Sequence, residues 1–172
     1  NHRIHLLFKL VRKMAVLIPA ALAAFFVGIA GLIFVPDEIK NKPLDFDRGT
    51  IKIDNAVINV EIAESDAERQ RWLMFRNEEF PSNAAMILVY PHHDLYALWL
   101  LNIQYNLDIM WFNEEGKLVY LIKDAKPCEN PLDPHVCTYK TNIPAKYIVV
   151  STTGFIKENN ITRSSILTII SI

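Results

Sequence analysis

Hydrophobic and polar positions fall into two regimes along this chain. From Met14 to Pro36 the sequence MAVLIPAALAAFFVGIAGLIFVP contains no charged residue over 23 positions. A helix needs roughly 20 apolar residues to cross a bilayer core. After about Thr50 the pattern changes to short apolar runs separated by turn residues, which predicts strands. The runs are Thr50–Asp54, Ala56–Ala63, Met86–Tyr90, Leu95–Leu100, Leu107–Phe112, Lys117–Ile122, Lys146–Ser151 and Ile166–Ser171. Leu107–Phe112 and Lys117–Ile122 form the clearest hairpin, because Asn113-Glu-Glu-Gly116 ends in a residue free to take positive φ. One helical signal interrupts the strands. Ser65-Asp-Ala-Glu68 is a capping box, in which the serine hydroxyl accepts from the Glu68 amide and the glutamate reaches back, so a short helix should run to about Leu73. Gly154–Asn159 reads as a single helical turn. The expected fold is mainly β, an antiparallel sandwich or barrel-like domain with one short helix, preceded by a transmembrane helix.

Charge sets the orientation of the first regime. Residues 1–13 carry Arg3, Lys9, Arg12 and Lys13 and no acid, whereas Asp37 and Glu38 follow the apolar run. The positive-inside rule places the N-terminus in the cytoplasm and the domain outside, in a single-pass protein of the cell membrane. A secretory signal peptide is the alternative, but its apolar region spans about 7–15 residues and ends in a small-residue cleavage site; Phe34-Val-Pro-Asp37 is a poor one. The organisation read from these boundaries is a basic terminus (1–13), a span (14–36), a linker (37–48) and an extracytoplasmic β domain (49–172). Gly28 and Gly31 give the span a small-residue face for packing on another helix. The domain carries no basic stripe, which argues against nucleic acid as a partner.

Between Arg69 and Asn113 lie apolar clusters rich in tryptophan and methionine, and four polar residues set into them stand out: Arg69, Arg76, Asn102 and Asp108. A buried polar group without a partner costs roughly 1–3 kcal/mol, so each should be hydrogen-bonded. Two arrangements satisfy this. One is a polar ligand pocket lined by Trp99, with an arginine binding an anion. The other is an internal Arg–Asp pair that pins the helix to the sheet.

The same stretch resembles the bacterial and archaeal domain-of-unknown-function family 192. Arg69, Leu73-Met74-Phe75-Arg76, Met86, Trp99, Asn102, Leu107-Asp108, Cys128 and Gly154 fall in register with that family's pattern over about Asp54 to Ile170. The family has no established activity, so the resemblance implies a fold rather than a reaction. Departures bear on chemistry. Trp72 and Ala85 stand where the family has glycine, Leu101 where it has lysine, Asn106 where it has proline, and Val150 where it has glutamate. The lysine and glutamate are acid–base candidates, and this chain lacks both. No Ser-His-Asp set, phosphate loop or dinucleotide fingerprint replaces them. Catalysis is therefore not expected, nor is a cofactor.

Three further features bear on function. Cys128 and Cys137 bracket the loop CENPLDPHVC, and an external location favours a disulfide over free thiols; a metal site with His135 is the sharper alternative, though the usual C-x-x-C spacing is missing. His92 and His93 follow Pro91 in an expected turn, as solvent-exposed residues or as copper ligands with a nearby Met. Asn160-Ile-Thr162 is the only N-x-S/T sequon. Together these features predict a non-catalytic accessory subunit. Its anchor and outer domain would contact other membrane subunits and the bilayer, a copper monooxygenase being one setting. The alternative is a ligand-binding or enzymatic domain using Arg69, Arg76, Trp99 and Asp108.

Overall fold

Seven strands line up in one sheet, in the order β6-β5-β8-β3-β2-β1-β9. The computed structural model describes residues 45–172 except residue 131 and the side chain of 134, together with residues 15, 18, 19 and 21–26. The strands are β1 (Asp47–Ile53), β2 (Ala56–Ala63), β3 (Ala84–Asp94), β5 (Leu107–Phe112), β6 (Leu118–Ala125), β8 (Ala145–Thr152) and β9 (Leu167–Ser171). Two short strands, β4 (Ala97–Trp99) and β7 (Thr138–Lys140), make a separate antiparallel pair. The helices are α1 (Asp66–Arg71) and the four-residue α2 (Phe155–Glu158), where a helical turn was expected.

The chain divides into units 1–42 and 43–172. Residues 21–26 are helical, with Leu22, Phe25 and Phe26 exposed. Among the described residues no helix is long and apolar enough to cross a membrane. Most of the expected span 14–36, including Gly28 and Gly31, lies outside the described residues.

The expected antiparallel sandwich is corrected in two respects. First, the sheet is mixed, because β2 and β3 pair in parallel. Parallel neighbours need a crossover rather than a hairpin, and the connection through α1 provides it. Second, among the described residues the strands form one seven-stranded sheet with only the short β4–β7 pair beside it, not two comparable sheets. Each face of the one sheet carries its own apolar cluster, and side-chain alternation along the strands assigns residues to them. On β5, which is buried at every position, Leu107, Ile109 and Trp111 belong to one cluster and Met110 and Phe112 to the other.

The first cluster includes Met86, Leu88, Ile148 and Val150, and is covered by Trp72 and Leu73 after α1 and by Leu98, Leu100 and Tyr105. The second unites Ile51 and Ile53 of β1 and Leu167 of β9 with Leu118 of β6, from opposite ends of the strand order. Such residues share one core only if the sheet curls around it. Phe155, Ile156 and Ile161 complete this core. The curl brings the two edges together at a single bridge, Lys117 to Ile166, where the Leu167 amide donates to the Gly116 carbonyl at 2.7 Å. β6 and β9 do not pair along their lengths, so no closed barrel forms. Gly116 has φ +80, and an added Cβ would lie 2.2 Å from the Leu167 carbonyl oxygen. Glycine thus serves both the hairpin turn and this contact.

Candidate functional site

The capping box forms as expected: the Glu68 amide donates to the Ser65 hydroxyl at 3.2 Å, and the Ser65 amide to the Glu68 carboxylate at 2.9 Å. The Ser65 amide, then its hydroxyl, hold the Glu68 carboxyl below its ordinary pKa. This cap sets the direction of α1 and delivers Arg69 to the sheet. The guanidinium of Arg69 donates to the Val89 carbonyl of β3 at 2.7 Å, to the Glu64 carbonyl and to Asp66, and lies 5.1 Å from the centre of the Tyr90 ring. Tyr96 stacks on Tyr90 with centroids 3.6 Å apart.

Asp108 is not its partner, and the expected Arg–Asp pair does not form. Asp108 is 2% exposed and accepts the Asp124 amide at 3.0 Å and the Ile156 amide at 2.9 Å. It thereby caps the N-terminus of α2 from inside the protein, satisfying an amide that the helix cannot. Asp124 has φ +57, and its carboxylate accepts from the Asn106 amide at 2.8 Å and the Thr153 hydroxyl at 3.1 Å. These bonds, that to Asn106 foremost, hold its carboxyl below the usual range.

Arg76 makes a third, separate arrangement. It pairs with Glu61 on β2 and lies 4.7 Å from the centre of the Phe80 ring. Asn102, at φ +55, accepts the Phe75 amide on its carbonyl at 2.9 Å, tying its loop to the segment after α1. Trp99 is 38% exposed on β4. The five residues read as one pocket or cluster therefore have different partners. Of them, only Arg76 lines a cleft of about 440 Å³, with Arg48, Glu61, Glu78 and Phe80 among its walls. Arg48 and Glu61 are cross-strand partners on β1 and β2. No histidine, cysteine or serine is among the residues lining this cleft. It offers an arginine paired with Glu61, further carboxylates and an aromatic face, groups suited to recognising a polar ligand.

Sequence reasoning missed Tyr105. Among the described residues its hydroxyl is buried without a hydrogen-bond partner, close enough to Arg76, Glu79 and Glu61 to feel their charges. No sequence signal marked it, since tyrosines in apolar runs usually find a partner. Burial pushes the hydroxyls of Tyr105 and Tyr90 up to about 12. Tyr105→Phe is expected to stabilise the domain by about 1 kcal/mol, by removing an unsatisfied polar atom. Below pH 10 both tyrosines are neutral folded and unfolded. Between pH 10 and 12 only the unfolded chain ionises them, so stability falls as pH rises. Thermal melts at pH 8 and pH 11 should show a higher Tm for Tyr105→Phe and a shallower alkaline loss. A lower Tm at pH 8 would mean the hydroxyl has a stabilising partner.

Two departures from the family pattern gain a physical setting. Trp72 sits at the C-cap of α1 with φ +25, a backbone region that favours glycine, while its indole is buried in the first core. Val150 is fully buried between Met86 and Ile109, its cross-strand neighbours on β3 and β5. An apolar side chain suits that position as it stands.

Cys128 and Cys137 are joined by a disulfide, with Cα atoms 5.1 Å apart. The loop is tied to the domain at Leu100, whose carbonyl accepts the Cys128 amide and whose amide donates to the Cys137 carbonyl. Two bare aliphatic side chains stand on it, Leu132 at 90% and Val136 at 68% exposed. The histidines lie elsewhere than expected, because β3 continues through Pro91 to Asp94 around an irregularity in its pairing with β8. His93 Nε2 donates to the Pro144 carbonyl at 2.9 Å, and the His92 carbonyl accepts the Tyr96 hydroxyl at 2.9 Å. Among the described residues no group of three or more His, Cys, Asp or Glu is placed to hold a metal.

Comparison with known proteins agrees with this architecture. A crystal structure of a proposed transcription regulator from Sinorhizobium meliloti superimposes with a TM-score of 0.64 at 17% identity, covering 73% of this chain and 95% of that one. A protein of unknown function from Novosphingobium aromaticivorans gives 0.62 at 18% identity, covering 70% and 84%. At such identities the likeness extends to the fold alone. No curated protein sequence matches the chain. The family model described as uncharacterized ACR, DUF192, matches residues 49–169. Through that domain, with its curled mixed sheet and capped α1, the chain belongs to the domain-of-unknown-function family 192.

Proposed function

We propose that this chain is a non-catalytic accessory subunit of a membrane protein complex. Residues 14–36 would anchor it, the N-terminus would lie in the cytoplasm, and the DUF192 domain would lie outside. The disulfide-closed loop carries this reading. Its covalent bond suits an oxidising compartment, and it holds Leu132 and Val136 in water, where aliphatic side chains gain nothing unless a partner covers them. The bonding of Arg69 and Asp108 to neighbouring backbone supports a structural role for both. Partners would be membrane subunits, met by the Gly28 and Gly31 face of the anchor and by this loop.

Gentle solubilisation of native membranes should recover the full chain with defined membrane proteins. Leu132→Asp with Val136→Asp should lose them by at least tenfold while the isolated domain keeps its melting temperature. Undiminished recovery would show that the loop is not the contact. A protein whose domain resists protease added from outside would contradict the orientation.

A small-ligand role is the second reading, now centred on Arg76 rather than on the whole expected set. The unpartnered Tyr105 hydroxyl near the cleft residues Arg76, Glu61 and Glu79 favours it. A compound that raises the Tm of the wild type but not of Arg76→Ala would establish it.

A further inference from the structure

We infer that Asn160 carries an N-linked oligosaccharide in the native cell; this rests on the extracytoplasmic placement proposed above. A sequon alone is weak evidence, since the triplet arises by chance. What distinguishes this one is how the fold presents it. Asn160 lies in the turn between α2 and β9, with its side chain exposed and, among the described residues, without a hydrogen bond. Several other asparagines do structural work. Asn159, next in the chain, donates from its side-chain amide to the Ser82 carbonyl at 3.1 Å and the Phe155 carbonyl at 3.0 Å. The Asn106 amide holds Asp124, and the side-chain carbonyls of Asn113 and Asn130 close turns.

Backbone conformation explains only part of this choice. Asn160 has φ +52, and asparagine tolerates that region better than most residues. That conformation favours asparagine, aspartate or glycine at 160 and does not itself involve the side chain of residue 162. Thr162 is also exposed, and among the described residues its hydroxyl meets only Ser164, at 3.0 Å. The turn is fastened by other groups: the Ile161 amide donates to the Ile156 carbonyl, the Thr162 amide to the Ser165 hydroxyl, and the Ile161 side chain is buried in the second core. Both side chains that define the sequon thus face water while the residue between them anchors the turn. A chain attached at Asn160 Nδ2 would extend into solvent and displace no packed atom.

The reaction needs a lipid-phosphate-linked oligosaccharide and a transferase on the outer face. The Nδ2 nitrogen forms a bond to the anomeric carbon of the first sugar. The bond from that carbon to the phosphate oxygen breaks, and the lipid phosphate leaves with the electron pair. One amide proton passes to a base of the transferase. Nothing is oxidised or reduced.

The test is mass analysis of the peptide containing Asn160, from the full chain purified out of its native membranes. A mass above that of the sequence by whole sugar increments is expected. It should vanish in Thr162→Ala, which leaves the asparagine and its turn in place, and persist in Thr162→Ser. Protease accessibility of the domain in intact cells is measured in parallel. An unmodified Asn160 in an accessible domain overturns the glycan and leaves the anchor reading standing. A shielded domain with an unmodified Asn160 overturns both. An increment that survives Thr162→Ala overturns sequon-directed attachment.

Discussion

Replacing Asp108 with alanine is expected to lower the melting temperature of the domain by on the order of 10 °C. Asp108 accepts two main-chain amides, Asp124 on the irregular end of β6 and Ile156 in the first turn of α2. Hydrogen bonds to a charged group each contribute roughly 1.5–3 kcal/mol, and a buried amide left without a partner costs roughly 1–3 kcal/mol. Ile156 is itself buried, so water does not readily replace the carboxylate. An aggregate loss of about 3 kcal/mol follows, and for a domain of this size each kcal/mol moves Tm by roughly 3–5 °C. Asp108→Asn should recover part of this, because one carbonyl oxygen remains to accept one amide. Chemical denaturation with a common m-value across the three proteins would measure the difference. A loss under about 1 kcal/mol for the alanine variant would show that the carboxylate is not the anchor of α2.

Opening the disulfide is the second large effect. Cys128 and Cys137 close a loop with a sequence separation of 9. In the chain-entropy model a loop of that length stabilises by about 2.5 kcal/mol, mainly through restriction of the unfolded chain. Paired replacement by serine should therefore lower Tm by roughly 10 °C. The loss should be felt locally as well. The loop is held by two hydrogen bonds at Leu100, and β7 follows it directly to pair with β4. Amide exchange should quicken in residues 97–100 and 138–140 of the serine variant, while β5 and β8 stay protected. Mass analysis without reductant should find the wild-type peptide two hydrogens light. Two free thiols would remove both the stabilisation and the argument for an oxidising compartment.

Local rules were legible wherever a few neighbouring residues sufficed. The Ser65–Glu68 box and the positive φ of Gly116 are properties of four-residue windows, and both appear as expected. The periodic strands were also legible, since apolar alternation depends only on burial of one face or both. The errors have a shared cause. Leu95–Leu100 does hold a strand as expected, β4 over Ala97–Trp99, but it stands outside the main sheet, and Leu98 and Leu100 lie over one face of that sheet in the first core. The pairing β4–β7 joins segments about 40 residues apart around the disulfide loop, and β7 has only three residues. Nothing local announces such a strand. Likewise Pro91 suggested a turn, but an irregularity in the β3–β8 pairing accommodates it within an extended strand.

The polar residues of the central stretch divide in the same way. From sequence alone it followed that Arg69, Arg76 and Asp108 must be bonded, because unpaired polar groups in an apolar run are costly. Which atoms satisfy them could not follow, because hydrogen-bond partners are set by which strands lie side by side. The crossover through α1 places Arg69 over β3 and Arg76 over β2, while the alternation of β5 turns Asp108 towards α2 and the end of β6. The sequence determined that these side chains are structural or recognition groups rather than solvated charges. The tertiary structure alone decided that they form three separate anchors instead of one pocket, since parallel pairing and sheet curl are long-range properties that no short window encodes.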